Sequence, residues 1–223
     1  TTIRSDKTGT LTQNRMTVTV IDVADSRLQL TNYDPREAVA TGPSSLSLTL
    51  AAGLLCNDGE IATDGGTVAM IGDPTETALL QAAHDAHIDV ASVRALMPRI
   101  GENPFDSERK RMSTVHGPVA GQVAALSGIP QDTPVAFVKG AIDGLLARTA
   151  RVWHAEGDVD LTDEWLARIL AANDAMASDG MRVLGVAYRT VTGAEQTAAA
   201  EDDLTLLGLV GIIDPPRDEV RDA

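Results

Sequence analysis

Ser5-Asp6-Lys7-Thr8-Gly9-Thr10-Leu11-Thr12 sets a carboxylate directly after the step Thr1-Thr2-Ile3-Arg4-Ser5, then follows it with a cation, a hydroxyl and a glycine. The step reads as the end of a buried strand entering a turn. Open α/β sheets present their reactive groups at strand C-termini. A carboxylate placed there can attack phosphorus and form an acyl phosphate. Lys7 would neutralise phosphate charge, and Gly9 lets the backbone approach an anion closely. A bare Asp-Lys pair would suit an ordinary polar junction equally well. The whole run from Asp6 to Thr12 is far more specific.

Working outward, 16–23 alternates apolar and polar residues, and 27–30 is a short partner, so both are expected strands. Helical spacing covers 43–55, opened by Pro43-Ser44-Ser45. Asn57-Asp58-Gly59 and Asp64-Gly65-Gly66 are turn signals around a short hairpin, and 67–71 is a strand. Asp73-Pro74-Thr75-Glu76 opens the clearest helix, which runs to about Ala86. Asp73 suits its N-cap, Pro74 its first position, and Glu76 a capping box. A short helix is expected over 91–96, strands over 99–105, 111–116 and 135–139, and a loop over 117–133. A helix spans 141–147. Thr162 caps a long helix ending before Gly180, whose missing Cβ suits a left-handed turn. Strands over 183–188 and 204–213 follow, the latter stopped by Pro215-Pro216. The Ala- and acid-rich 192–203 reads as a linker or short helix.

Antiparallel-looking strands with separate helices make the class α+β. The two ends read instead as stubs of parallel-sheet strands from another domain. Narrow crossings near Leu11–Arg15 and Asp214–Arg217 join them to the body. The chain thus divides into 1–13, 14–213 and 214–223, and both ends read as cut points within a longer protein.

The 223 residues are 43% apolar but only 3% aromatic, so the core is built from Ala, Val, Leu and Ile. The single cysteine, Cys56, excludes an internal disulfide framework and fits a reducing compartment. His84 and His87 share a helical face without a third ligand nearby, which disfavours zinc. No run reaches the ~18 apolar residues of a membrane span, and no signal peptide opens the chain. The formal charge of −14 opposes binding to nucleic acid or to anionic membrane surfaces. An anionic ligand must therefore find a locally basic site. Fifteen of the eighteen basic residues are arginines, as a GC-rich coding bias would give. The three lysines, Lys7, Lys110 and Lys139, each fall inside a motif. A lysine is a compact point charge where arginine is a wide fork.

Asp6-Lys7-Thr8-Gly9-Thr10-Leu11-Thr12 resembles the phosphorylation signature of P-type ATPases, and the resemblance continues in unbroken motif order along nearly the whole chain. Gly72-Asp73-Pro74-Thr75-Glu76-Thr77-Ala78-Leu79 resembles the segment carrying a nucleotide-binding acid. This implies that Glu76 meets the adenine amino group or a water beside it. Pro104-Phe105-Asp106-Ser107-Glu108-Arg109-Lys110-Arg111 resembles the adenine-pocket segment, with Phe105 stacked on the base and Lys110 at the wall. Several relatives carry a phosphate-holding arginine two residues after this Phe. Here Ser107 stands there, with Arg109 or Arg111 as the possible substitute. Phe137-Val138-Lys139-Gly140-Ala141 resembles the Lys-Gly-Ala motif, which places Lys139 and Gly140 at the nucleotide. Gly180-Met181-Arg182-Val183 resembles the segment whose arginine grips phosphates. Thr12-Gln13-Asn14 and Asp214-Pro215-Pro216-Arg217 resemble the two hinge crossings.

The resemblance implies an antiparallel β-sheet flanked by helices, the nucleotide-binding domain, with stubs of the α/β phosphorylation domain at both ends. It implies Asp6 as the phosphorylated nucleophile, with Lys7 and Thr8 beside it. Asp6 and Thr8 would form part of an incomplete Mg²⁺ site. ATP and Mg²⁺ are the expected cofactors. The expected partners are ATP or ADP and the actuator, remaining phosphorylation and membrane parts of the same protein, with no nucleic acid. The chain is expected to be a monomer and a cytoplasmic portion of an integral membrane protein. By itself it should bind nucleotide without turnover. Asn14-Arg15-Met16-Thr17-Val18 and the Asp-Pro-Pro-Arg ending resemble the type II branch, which favours calcium. Two alternatives stand beside this reading. One is a haloacid-dehalogenase-type phosphatase, whose usual second Asp is replaced by Thr8. The other is a regulatory nucleotide-binding module.

Overall fold

The structure, a computed structural model, describes residues 12, 15–24, 26–30, 45–64, 67–118, 133–154, 157–192 and 198–215. Asp6, Lys7, Thr8 and the rest of the first strand stub apart from Thr12 lie outside these residues, as does the C-terminal stub beyond Pro215, Arg217 included.

One large sheet organises the molecule. Its strands are β1 (Thr17–Val23), β2 (Ser26–Gln29), β5 (Arg99–Asp106), β6 (Arg111–His116), β7 (Val135–Gly140), β8 (Thr149–His154), β9 (Gly157–Asp160), β10 (Arg182–Thr190) and β11 (Leu204–Ile213). A separate hairpin holds β3 (Glu60–Asp64) and β4 (Thr67–Ile71). The main order is β2-β1-β11-β10-β7-β6-β5, antiparallel throughout. β11 is long enough to pair twice along one edge. Gly208 to Ile213 meet β1, and Leu204 to Leu206 meet β8 in parallel.

Helices cover both faces: α1 (Ser45–Leu55), α2 (Pro74–Asp85), α3 (Val90–Leu96), α4 (Ile142–Leu146) and α5 (Asp163–Ser178). Side chains of successive strand residues point to opposite faces, and the core divides accordingly. Phe137, Val186, Tyr188, Leu207, Val210 and Ile212 pack with α1 and α2, around Leu48, Leu54 and Leu80. Val138, Ala187, Leu204, Leu206 and Leu209 pack with α4 and α5, around Leu145, Ile169 and Met176. A strand covered on both faces needs no polar side, which is why β7 and β11 read as continuous apolar runs.

The caps follow the sequence signals. Asp73 accepts from the Thr75 amide and Thr162 from the Trp165 amide. Gly180 takes φ +79, and its amide bonds back to the Ala177 carbonyl. The hairpin β8–β9 gave no sequence signal. It is anchored by Asp158, which accepts from the Tyr188 hydroxyl at 2.8 Å and the Thr205 hydroxyl at 3.0 Å. The stretch read as a linker or short helix holds a 3-10 turn, Ala198–Glu201. At the crossings, the Thr12 hydroxyl donates to Asp214 Oδ2 at 2.6 Å and the Arg15 amide to Oδ1 at 3.2 Å. Residues about 200 positions apart in sequence are thereby tied together where the chain enters and leaves the sheet.

Candidate functional site

A cleft of about 680 Å³ opens where the start of α2, the β5–β6 turn, the end of β7 and the start of β10 converge. Glu76, Phe105, Lys110, Lys139, Gly140 and Arg182 all line it, although they lie up to 106 positions apart in sequence. Met112, Val183 and Leu184 supply an apolar wall.

Glu76 sits in the first turn of α2 but does not fold back to complete a capping box. Its Oε1 takes the Lys139 ammonium. Its Oε2 accepts the backbone amides of Asp58 and Gly59, the latter at 3.2 Å. Asn57 fixes that amide-bearing turn. Its Nδ2 donates to the Gly53 and Glu76 carbonyls at 3.1 and 3.0 Å, and its Oδ1 accepts the Gly59 amide at 2.8 Å. From the other side, Arg99 donates to the Asn57 carbonyl at 2.7 Å and Arg94 to the Gly59 carbonyl at 3.0 Å. Lys139 is only 7% exposed, so its charge is largely withdrawn from water and needs the Glu76 partner.

Glycines keep this corner close-packed. A Cβ on Gly140 would lie 2.5 Å from Arg111 Cβ and 2.6 Å from the Lys110 carbonyl oxygen. Gly72, at φ +144, occupies backbone space closed to other residues and brings its chain against Gly59. Arg182 enters from β10 and donates to the Thr75 hydroxyl at 2.7 Å, at the mouth of α2.

Phe105 and Lys110 come from the β5–β6 turn. Asp106 Oδ1 accepts the Glu108 and Arg109 amides at 3.0 and 2.8 Å, and Lys110 adopts a left-handed φ of +52. A register shift between Asn103 and Asp106 turns Phe105 toward the cleft. Phe105 is 64% exposed, while the chain's other phenylalanine, Phe137, is 1% exposed. Core packing accounts for Phe137 and leaves Phe105 unexplained.

Neither substitute for a phosphate-holding arginine lines the cleft. Arg109 donates to both oxygens of Glu201, at 2.7 and 2.9 Å, and Arg111 Nε to one of them at 2.6 Å. A buried carboxylate attracts both guanidinium groups, so they leave the cleft to Lys110. Burial pushes the Glu201 carboxyl up, but the hydrogen bonds from Arg109, Arg111 and Ser113 outweigh it and hold it below the usual range. Nothing in the sequence marked Glu201, the first of three consecutive acids closing an alanine-rich stretch. Asn57-Asp58-Gly59 was legible only as a turn, because its function is carried by backbone amides.

The family model of the P-type ATPase cytoplasmic domain N matches residues 45–219. The chain belongs to this family. Domain N therefore accounts for the α+β architecture. The chain is 36% identical to a calcium-transporting ATPase of Bacillus subtilis, covering 99% of the chain and 25% of that protein. It is 37% identical to calcium-transporting ATPase 1 of Lactococcus lactis, over 99% of the chain and 23% of the relative. For the calcium-transporting ATPase type 2C member 1 of Bos taurus, the identity is 35% over 99% of the chain and 22% of the relative. The chain thus spans about a quarter of the length of these curated relatives. Among the described residues, no helix is long and apolar enough to cross a membrane.

Proposed function

We propose that the cleft binds ATP or ADP, and that in the full-length protein it delivers the γ-phosphate to Asp6 of a cation pump. The observation that carries this is one exposed ring, Phe105, sharing a cleft with Lys110, Lys139 and Arg182. Aromatic faces stack on bases, and clustered cations hold phosphates. The wall of Met112, Val183 and Leu184 suits a purine, and Gly140 lets β7 pack directly against the Lys110–Arg111 backbone that carries the turn.

Asp6, Lys7 and Thr8 are assigned to the phosphorylation step by their motif. Mg²⁺, which shields phosphate charge in such transfers, would sit with Asp6 and Thr8, outside the described residues. Tied crossings at Thr12, Arg15 and Asp214 are consistent with a body, 14–213, that moves as a unit relative to 1–13 and 214–223. Calcium is the favoured ion, since the three relatives are called calcium-transporting. The domain N match over 45–219 is what a soluble phosphatase or a free-standing sensor would leave unexplained.

These 223 residues by themselves should bind nucleotide without turning it over. Stable radiolabel from γ-phosphate on Asp6 of this chain would refute that. One stack and a few charge-assisted contacts, set against the cost of immobilising the ligand, give a Kd of roughly 0.1–1 mM. Phe105→Ala removes an exposed ring, so the fold should stand while ATP affinity falls by about 1–3 kcal/mol. Calorimetric titration measures both proteins. An unchanged Kd in the folded variant would put the base elsewhere.

A further inference from the structure

We propose that Glu201 is a positioning residue for the cleft: by holding Arg109 and Arg111 behind the β5–β6 turn, it makes that turn present Phe105 and Lys110 to the ligand. The inference rests on reading the cleft as a nucleotide site. It concerns a residue that never touches the cleft itself.

Glu201 is 3% exposed, at the end of the 3-10 turn that leads into β11. Its carboxylate accepts from Arg109, Arg111 Nε and the Ser113 hydroxyl, the last at 2.9 Å, with Asn103 Nδ2 at 3.4 Å. These donors bracket the turn on both strands. Asn103 lies on β5 before the register shift, and Arg111 and Ser113 on β6 after the turn. Arg109 also donates to the Pro104 carbonyl at 2.7 Å, and Arg111 Nη1 to the Arg109 carbonyl at 3.1 Å. The residues adjoining Phe105 and Lys110 are therefore fixed from behind through one carboxylate.

Alternation explains the sidedness. Along β6, Arg111 and Ser113 face Glu201 while Met112 faces the cleft. On β5 the register shift breaks the alternation, so Asn103 reaches Glu201 yet Phe105 reaches the cleft. Lys110 sits in the left-handed region, where a non-glycine residue persists only if its surroundings hold it. The clamp, the Asp106 bonds and the Ala141 amide bonded to the Lys110 carbonyl at 3.0 Å supply that hold.

The test uses the 223-residue chain, ATP as the probe, and Glu201→Gln. Amide ¹⁵N relaxation over 106–110 reads the turn without any ligand, and calorimetry reads ATP affinity. Faster motion of the turn and a Kd raised about tenfold are expected. In a Phe105→Ala/Lys110→Ala background, Glu201→Gln should leave ATP affinity unchanged, because it acts through those two side chains. An equal loss of affinity in both backgrounds, or a rigid turn with unaltered Kd, overturns the proposal. If the parent chain fails to bind ATP while the turn still loosens, the clamp stands and the nucleotide reading fails. If Glu201→Gln does not fold, Arg109→Gln releases the turn while leaving Arg111 on the carboxylate, and the same readouts and outcomes apply.

Discussion

Lys139→Ala loses about 3–5 kcal/mol of folding stability and, where it still folds, binds ATP more weakly. Both effects come from one ammonium group. Lys139 lies near the end of β7, 7% exposed, against the Glu76 carboxylate. Removing it leaves that carboxylate largely out of water, with the Asp58 and Gly59 amides and the more distant charge of Arg94 to stabilise it. Breaking a buried pair costs far more than never having built it, because the surviving charge is uncompensated.

A double variant separates the two roles. Glu76→Gln removes the stranded charge and retains a group that can accept from the Asp58 and Gly59 amides. Lys139→Ala/Glu76→Gln should therefore recover much of the stability lost by Lys139→Ala alone. It should recover none of the ATP affinity, since the cation proposed to face the nucleotide is still missing. Urea denaturation and calorimetric titration of the four proteins measure the two quantities. If the double variant were as unstable as the single one, the pair would not be what holds this corner together. If it regained affinity, Lys139 would serve only to neutralise Glu76.

The cleft was legible because its side chains sit in contiguous motifs with local reasons for their residue types. A strand end followed by glycine marks Lys139 and Gly140. A strand and turn mark Phe105 and Lys110. The helix start at Asp73 and Pro74 was equally plain, and it delivered Glu76 to the right place for the wrong local reason. The capping-box spacing is real, yet the side chain turns to Lys139 and to the 57–59 turn, because a buried ammonium attracts a carboxylate more strongly than a solvated N-terminal amide does. What could not be read was tertiary. Glu201 reaches Arg109 across 92 positions and Arg111 across 90, and no pattern within either segment announces that meeting. β8 and β9 were missed for a related reason. β8 is held by a short parallel register on β11, and β9 by β8 and the Asp158 bonds. Each alternates over only about four residues, Thr149 to Val152 and Asp158 to Leu161, at the short limit of the pattern that marks a half-buried strand.

Acid should destabilise this chain above the range where its carboxylates titrate, and His116 is the reason. The ring is 2% exposed and packs at 5.7 Å from Phe137. Nδ1 lies 2.8 Å from the Met97 carbonyl, so it carries the proton and donates, while Nε2 accepts from the Thr114 hydroxyl at 3.0 Å. Burial disfavours the imidazolium and outweighs the favourable Met97 and Leu55 carbonyls. With Arg99 and Arg94 nearby, it brings the pKa down to about 4 from an ordinary 6.5. The unfolded chain then binds a proton that the folded chain refuses between those two values. Stability contributed by the neutral ring is fully present above pH 6.5 and is lost as pH falls toward 4. The loss totals about 3 kcal/mol. Glu201, held below the usual carboxylate range, adds its own loss only at lower pH, so the two windows separate. Urea unfolding at intervals from pH 7 to 4.5 should show stability falling at a slope approaching 1.4 kcal/mol per pH unit, that of about one proton. His116→Asn keeps a donor for the Met97 carbonyl and cannot titrate, so its profile should be flatter by that proton. Equal slopes in the two proteins would mean that the ring is protonated in the folded chain, and that the Thr114 contact has the opposite polarity.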